Sequence, residues 1–172
     1  RIVKNGPVMK VICIIVLYEC ALEDSESING VINNFVKYPE LTESVGIITY
    51  ENCSSPNSIH SNEINIISSY STNENHGVAK AYNYALKIAS SNNVDWLLLL
   101  DQDTRLNDDF LNNAVLSIKR LKDNTIAAIV PKIFDGNKLI SPSNVKWGGV
   151  HRPIDLNFLG VFDKNANNGL GD

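Results

Sequence analysis

Asp101 and Asp103, one residue apart, come directly behind the run Leu97-Leu98-Leu99-Leu100. Carboxylates are hard oxygen ligands, and Mg2+ or Mn2+ is commonly held by one or two of them together with the phosphates of a substrate. The four leucines read as a strand buried on both faces, of the kind found in the middle of a parallel sheet. Ligands of open α/β sheets collect in the crevice beyond the carboxyl ends of the strands. The pair is therefore expected at the lip of a site for a metal-bound, phosphate-bearing substrate. The same Asp-Gln-Asp could serve as an ordinary turn or helix cap, but its place behind a leucine strand favours the site.

Two further segments carry polar groups at useful places. Asn75-His76-Gly77-Val78-Ala79-Lys80-Ala81-Tyr82-Asn83 sets a glycine at the start of a helix, where a ligand can come close to backbone N–H groups. On its own it is equally an ordinary helix with a glycine beside its start, and His76 reads as a loop residue rather than a metal ligand. Tyr50-Glu51-Asn52-Cys53-Ser54 is a polar turn after a strand and belongs at the same sheet edge as Asp101. Taken alone it reads as a plain loop.

The elements that position these groups alternate regularly. Val11 to Leu17 is β-branched and buried in pattern, a first strand. Asp24 and Ser25 can cap a helix whose apolar positions Ile28, Val31, Ile32, Phe35 and Val36 follow helical spacing, and Pro39 helps to stop it. Val45 to Tyr50 is a second strand and Ile64 to Ile67 a third. From Gly77 a stripe of Val78, Ala81, Tyr82, Ala85, Leu86 and Ala89 predicts a helix, with Lys80, Asn83 and Lys87 on another face. Val94 to Leu100 carries the aspartates. A helix capped by Asn107 follows, with Asp108 and Asp109 in its first turn and Lys119, Arg120 and Lys122 at its end, both complementing the helix dipole. Thr125 to Val130 is a further strand. This β-α-β-β-α-β-α-β order predicts an α/β fold with a mostly parallel sheet flanked by helices. After Pro131 the pattern dissolves, Asp135-Gly136-Asn137 reads as a turn, and Asn165 to Asp172 as a loop.

Bulk properties set bounds. At 172 residues, 44% hydrophobic and 20% charged, the chain has an ordinary globular balance and the length for one cored domain. A net charge of −4 argues against a general nucleic-acid binder. Cys13, Cys20 and Cys53 are odd in number and lack metal-ligand spacing, so free thiols in a reducing cytoplasm are expected. Asn52-Cys53-Ser54 matches a glycosylation sequon and is read as fortuitous. The apolar run Val11 to Tyr18 is too short to span a bilayer, and Glu19 and Cys20 offer no small-residue cleavage site for a signal peptide. Met9 is the one methionine. It marks the expected native start, with residues 1–8 a foreign leader.

In order, the segments Glu51-Asn52-Cys53-Ser54, Asn75-x-Gly77-x-Ala79-x-Ala81-x-Asn83-x-Ala85 and Asp101-Gln102-Asp103 resemble the nucleotide-binding half of a family 2 glycosyltransferase with the GT-A (Rossmann-like) fold. Leu99-Leu100-Asp101-Gln102-Asp103-Thr104 followed by Asn107-Asp108-Asp109-Phe110 is most similar to the rhamnosyltransferase-like branch. The likeness covers about Lys10 to Phe134. Departures are Glu51 where the family usually has Asp, Ala85 where it usually has Gly, and a first strand ending Val16-Leu17-Tyr18-Glu19.

The resemblance implies a sugar transfer, with inversion, from a nucleoside-diphosphate donor (a dTDP- or UDP-sugar) to a hydroxyl of a saccharide or lipid-linked acceptor. Asp103 would hold Mn2+ or Mg2+, and Asp101 the ribose or the metal's water shell. Leu17, Tyr18, Glu19, Glu51 and Asn52 would hold the nucleoside, while Asn75, Gly77, Lys80, Asn83 and Gln102 would border the base or the phosphates. Residues 9–135 would be the nucleotide-sugar-binding core, and 136–172 an irregular start to an incomplete acceptor side. The catalytic base of inverting members lies well downstream of the Asp-x-Asp. Asp155, Asp163 and Asp172 stand in no recognisable setting, so none is assigned. The family suggests work on surface polysaccharide in the bacterial cytoplasm, at the inner membrane face through peripheral association, with no transmembrane segment and no nucleic acid.

Other readings remain. A non-catalytic nucleotide-binding or assembly module could keep the same fold. A nucleotidyltransferase would want a Gly-rich, basic loop after strand one, which Leu17 to Leu22 lacks. A haloacid-dehalogenase-like phosphatase carries Asp-x-Asp-x-Thr on its first strand, whereas Thr104 comes one position early and on a later strand. An EF-hand starting at Asp101 is refuted by Arg105 and Leu106.

Overall fold

A computed structural model describes residues 9–53, 65–121, 126, 128–141, 143–146 and 150–153. The chain divides into two compact units, residues 1–120 and 121–172.

The first unit is built on β1 (Val11–Leu17), whose seven residues are all buried. Parallel pairing on both sides explains why so unbroken an apolar run is needed. β2 (Val45–Asn52) lies on one side and β4 (Trp96–Asp101) on the other, with β3 (Ile66–Thr72) outside β2. The order is β3-β2-β1-β4, and every pairing is parallel. Helices α1 (Glu26–Lys37) and α3 (Phe110–Arg120) share one apolar layer, and α2 (Val78–Ser91) builds the other. The period-two alternation of β1 divides it between them. Val11, Cys13, Ile15 and Leu17 meet Ile28, Val31, Phe35, Leu111 and Val115, while Ile12, Ile14 and Val16 meet Ala81, Ala85 and Ala89. The predicted α/β class and parallel sheet are therefore present.

Several elements differ from expectation. β4 is an edge strand among the described residues, so its leucines are not all buried: Leu100 is, but Leu99 is 49% exposed. Of the expected strand over 125–130, Thr125 and Ala127 lie outside the described residues, and Ile126 and 128–130 form no strand. The third strand runs on through Ser68, Ser69, Tyr70, Ser71 and Thr72, a polar stretch that an edge position tolerates because one side meets solvent; Ile64 lies outside the described residues. In α1 the buried stripe passes over Ser27, Gly30, Val31 and Asn34, which turns Val36 outward. In α2 the buried stripe narrows to Ala81, Ala85 and Ala89, leaving Val78 and Leu86 exposed.

Helix starts are set by tertiary contacts as much as by local caps. Ser25, not Asp24, caps α1: its Oγ accepts from Ile28 N at 3.3 Å, while Asp24 closes a 3-10 turn over Leu22–Asp24. α3 begins at Phe110, later than expected. Asn107 Oδ1 accepts from Asp109 N (3.1 Å) in the turn before it, and the helix's own Leu111 N donates to Asn34 Oδ1 at 3.0 Å. Asn34 is fully buried, and its Nδ2 also donates to Gly30 O and Asn107 O, both at 2.9 Å. Beside it Lys37 Nζ (2.7 Å) and Tyr38 OH (2.6 Å) donate to Asp109 Oδ1, holding that carboxyl below its ordinary range. Lys119 and Arg120 occupy the last turn of α3, as expected; Lys122 lies outside the described residues.

The second unit contains two antiparallel pairs. β5 (Ile133–Asp135) and β6 (Lys138–Ser141) form a hairpin around the turn expected at Asp135-Gly136-Asn137, with Gly136 at φ +55°. β7 (Ser143–Lys146) pairs with β8 (Val150–Pro153) inside the stretch expected to be irregular. Both strands are four residues long, too short to stand out by periodicity. Asp155, Asp163 and the loop at 165–172 lie outside the described residues.

Asn34, fully buried, joins α1 to the start of α3 by two hydrogen bonds, with Asn107 O and Leu111 N, and makes a third to Gly30 O within α1. Asn34→Ala is expected to cost about 2 kcal/mol or more, the penalty of leaving buried backbone groups unpaired. Urea unfolding followed by circular dichroism measures this; a loss within about 0.5 kcal/mol, as at an ordinary surface site, would show that water replaces the amide.

Candidate functional site

Register brings the singled-out residues to one edge. Asp101 pairs with Val16, Leu17 with Glu51, and Glu51 with Ser71, so the carboxyl ends of all four strands lie side by side. From β1 the chain passes through α1 to β2 on one side, whereas β4 on the other side is reached through α2. That reversal of strand order is where α/β sheets open a crevice for ligands.

The turn after β4 faces two ways. Asp101 and Asp103 are exposed, and neither carboxylate has a hydrogen bond or ion pair among the described residues. The turn's carbonyls point inward, to the start of α1. Ser27 Oγ donates to Asp101 O and reaches Thr104 O at 3.2 Å, while Ser25 Oγ (2.9 Å) and Ser27 N (3.2 Å) donate to Gln102 O. Thr104 N closes the turn onto Asp101 O at 3.2 Å. Gly30 makes room for this loop, since a Cβ there would lie 3.0 Å from Leu106 Cβ. Gln102 Oε1 accepts from Tyr18 N at 2.7 Å, tying the end of β1 to the same turn. Tyr82, from α2, is half-buried nearby; burial and then the charge of Asp101 push its hydroxyl's pKa up.

The end of β1 divides in character. Leu17 is a core residue, so its side chain cannot line the site; the strand's apolar alternation ends on it. Tyr18 is 44% exposed, and Glu19 takes φ +49°, a left-handed conformation uncommon for a residue with a side chain.

Next to it, Glu51 and Asn52 are each only 3% exposed. Ser71 Oγ donates to Glu51 Oε2 at 3.1 Å, and Thr72 Oγ1 to Glu51 O at 3.0 Å. Asn52 Nδ2 donates to Asn75 Oδ1 at 2.9 Å, while Asn52 Oδ1 accepts from His76 N at 2.7 Å. Asn75 Oδ1 also accepts from Gly77 N at 2.8 Å. The two asparagines thus fix the chain as it enters α2. Gly77 sits at φ +77°, ψ 162°, a region essentially closed to other residues. Lys80 and Asn83 are exposed on α2 and form no hydrogen bond among the described residues, and His76 lies 3.5 Å from Glu74.

Sequence reasoning missed Ser27, which looks like any early helix position, and read Ser25 only as a cap. It also missed the cluster of Tyr50, Tyr70 and Tyr84, with ring centroids 4.9–5.9 Å apart. Ser68 Oγ and Tyr84 OH are 2.7 Å apart, while the buried Tyr50 hydroxyl has no partner among the described residues.

The sequence profile of glycosyl transferase family 2 matches residues 14–169. The chain belongs to this family. Its fold is similar to the crystal structure of S. aureus TarS 1-349, with a TM-score of 0.51 and 18% identity over 81% of this chain. That match spans 42% of the TarS chain, so the present chain covers less than half of it. No curated protein sequence matches significantly. The α/β arrangement is thus that of the GT-A fold.

Family 2 enzymes often use a divalent cation. The residues here fit one of a particular kind. No group of three or more His, Cys, Asp or Glu side chains converges among the described residues, so a closed site of the structural-zinc type has no ligand set. Two exposed carboxylates without protein partners suit an ion that takes one or two protein oxygens and fills its remaining positions with water and phosphate.

Beyond its own chain neighbours, no atom of the described residues lies within 4 Å of a Cβ built on Gly77, so the constraint seen there is one of backbone angle. Gly77→Ala is expected to destabilise the fold by about 1–3 kcal/mol through strain. Thermal unfolding tests this; unchanged stability would mean that the start of α2 relaxes without cost.

Proposed function

We propose that this chain carries the donor side of a glycosyl transfer, in which a sugar passes with inversion from a nucleoside diphosphate to an acceptor hydroxyl. The observation that carries the reading is the outward Asp101–Asp103 pair at the switch point of a parallel sheet in a chain of this family. In the transfer, the acceptor oxygen attacks the anomeric carbon and the bond from that carbon to the phosphate oxygen breaks. The nucleoside diphosphate leaves with the electron pair, and the acceptor's proton passes to a base that no described residue is assigned to supply.

Asp103, with Asp101, would hold Mg2+ or Mn2+. When bound, that ion supplies positive charge to offset the diphosphate's growing negative charge. The protein's own groups do the rest. Glu51 and Asn52 bound the nucleoside side of the crevice, with Tyr18 and Glu19 at its mouth. The start of α2 presents the backbone of 77–80 with Lys80 toward the phosphate side, a place where helix N-termini favour anions. Gln102 acts chiefly by holding the end of β1. The side chain of Leu17 takes no part.

The donor base is read as uracil or thymine. Rhamnose is the first sugar to try, because Asp101-Gln102-Asp103-Thr104 and Asn107-Asp108-Asp109-Phe110 resemble that branch. A saccharide or lipid-linked acceptor at the cytoplasmic membrane face completes the proposal. No helix among the described residues is long and apolar enough to cross a membrane.

Titration calorimetry with UDP and dTDP, with and without Mn2+, tests the reading. Wild-type binding is expected to be tightened by the metal and to favour one base, and Asp103→Asn is expected to lose the metal-dependent gain while keeping its melting temperature. Normal manganese-dependent affinity in Asp103→Asn would remove the metal assignment. Absence of binding in folded wild-type protein would favour a non-catalytic module of the same fold.

A further inference from the structure

We propose that Ser25 and Ser27 are positioning residues for the divalent cation, acting through the backbone of the Asp101–Thr104 turn; this rests on the donor-site reading above. Both serines are fully buried, which is unusual for hydroxyls unless they are spent on specific partners. Three groups from the start of α1, namely Ser25 Oγ, Ser27 N and Ser27 Oγ, converge on the carbonyls of Asp101, Gln102 and Thr104. The carbonyls of Asp101, Gln102 and Thr104 are thus held toward the start of α1, while the side chains of Asp101 and Asp103 lie exposed. The two carboxylates have no protein partner among the described residues, so their direction is set by how the turn's backbone is held. The α1 serines supply most of that hold, beside the Thr104 N–Asp101 O and Tyr18 N–Gln102 Oε1 bonds.

The same contacts occupy donors at the start of α1. The N–H of Ser27 is taken by Gln102 O, and Ile28 N by Ser25 Oγ, so the start of α1 serves the turn.

Groups that orient metal ligands without touching the metal typically change its affinity roughly 10- to 100-fold when removed. Ser27→Ala deletes the hydroxyl with little change in volume. Ser25→Gly removes the bond to Gln102 O while leaving a residue accepted at a helix N-cap. The experiment titrates the 172-residue chain with UDP and with dTDP, each with and without Mn2+, and records thermal unfolding alongside. Each variant is expected to keep the wild-type metal-free nucleotide affinity and to lose about 10-fold or more of the gain that Mn2+ confers.

An undiminished manganese gain in folded Ser27→Ala overturns the proposal. So does an equal fall of metal-free and metal-dependent affinity, which is what general loosening would produce. If Ser27→Ala does not fold, Ser25→Gly decides by the same criteria. A wild-type chain with no manganese gain fails the donor-site reading itself, and the positioning role falls with it before either variant is compared.

Discussion

Strand β1 is the constraint on which the first unit depends. Its backbone is paired on both sides, with β2 and with β4, and all seven of its side chains are buried. Such a strand has no face to spare for solvent, so alternate residues must each find a covering layer. That requirement puts α1 and α3 on one side and α2 on the other, and the chain must cross over in opposite senses to supply them. The crevice beyond its carboxyl end follows from the crossing, before any functional residue is considered.

What fills the rim of that crevice is a division of labour between backbone and side chain. Around Asp101–Thr104 the carbonyls are consumed by the start of α1 and the carboxylates are left outward. Around Asn75–Gly77 the side chains of Asn52 and Asn75 are consumed, and the first backbone groups of α2 receive no side-chain cap at Gly77. One lip therefore offers negative charge suited to a cation, and the other offers N–H dipoles suited to an anion. A metal–diphosphate pair needs both. Membership of glycosyl transferase family 2 gives that arrangement a chemical setting.

Much of this was legible in the letters, and the failures have physical causes. Apolar runs such as Val11–Leu17 read as buried strands because no polar alternation interrupts them, and the family resemblance rested on motifs that the sheet brings to one edge. β4 was read as central because four leucines suggest burial on both faces; Leu99 is exposed because no described strand covers that edge. The polar half of β3 carried no strand signal, since an edge strand can present serines outward. The family resemblance sets Leu17 at the nucleoside, yet it is the last residue of β1 and strand alternation turns its side chain into the core. Ser27 gave no signal at all: its role depends on a turn 74 residues away along the chain. Local pattern finds elements, but it does not find a buried hydroxyl whose partner is a distant carbonyl.

Paramagnetic broadening of backbone amide NMR signals by Mn2+ in the presence of UDP or dTDP tests the central claim most directly, because it maps the cation without relying on turnover. The account predicts that Tyr18 and Asp101–Thr104 broaden first, while amides at the opposite ends of the strands, such as Val11 and Leu97, stay sharp. Selective broadening at those opposite ends, or none at Asp101–Thr104 in folded protein, would contradict it.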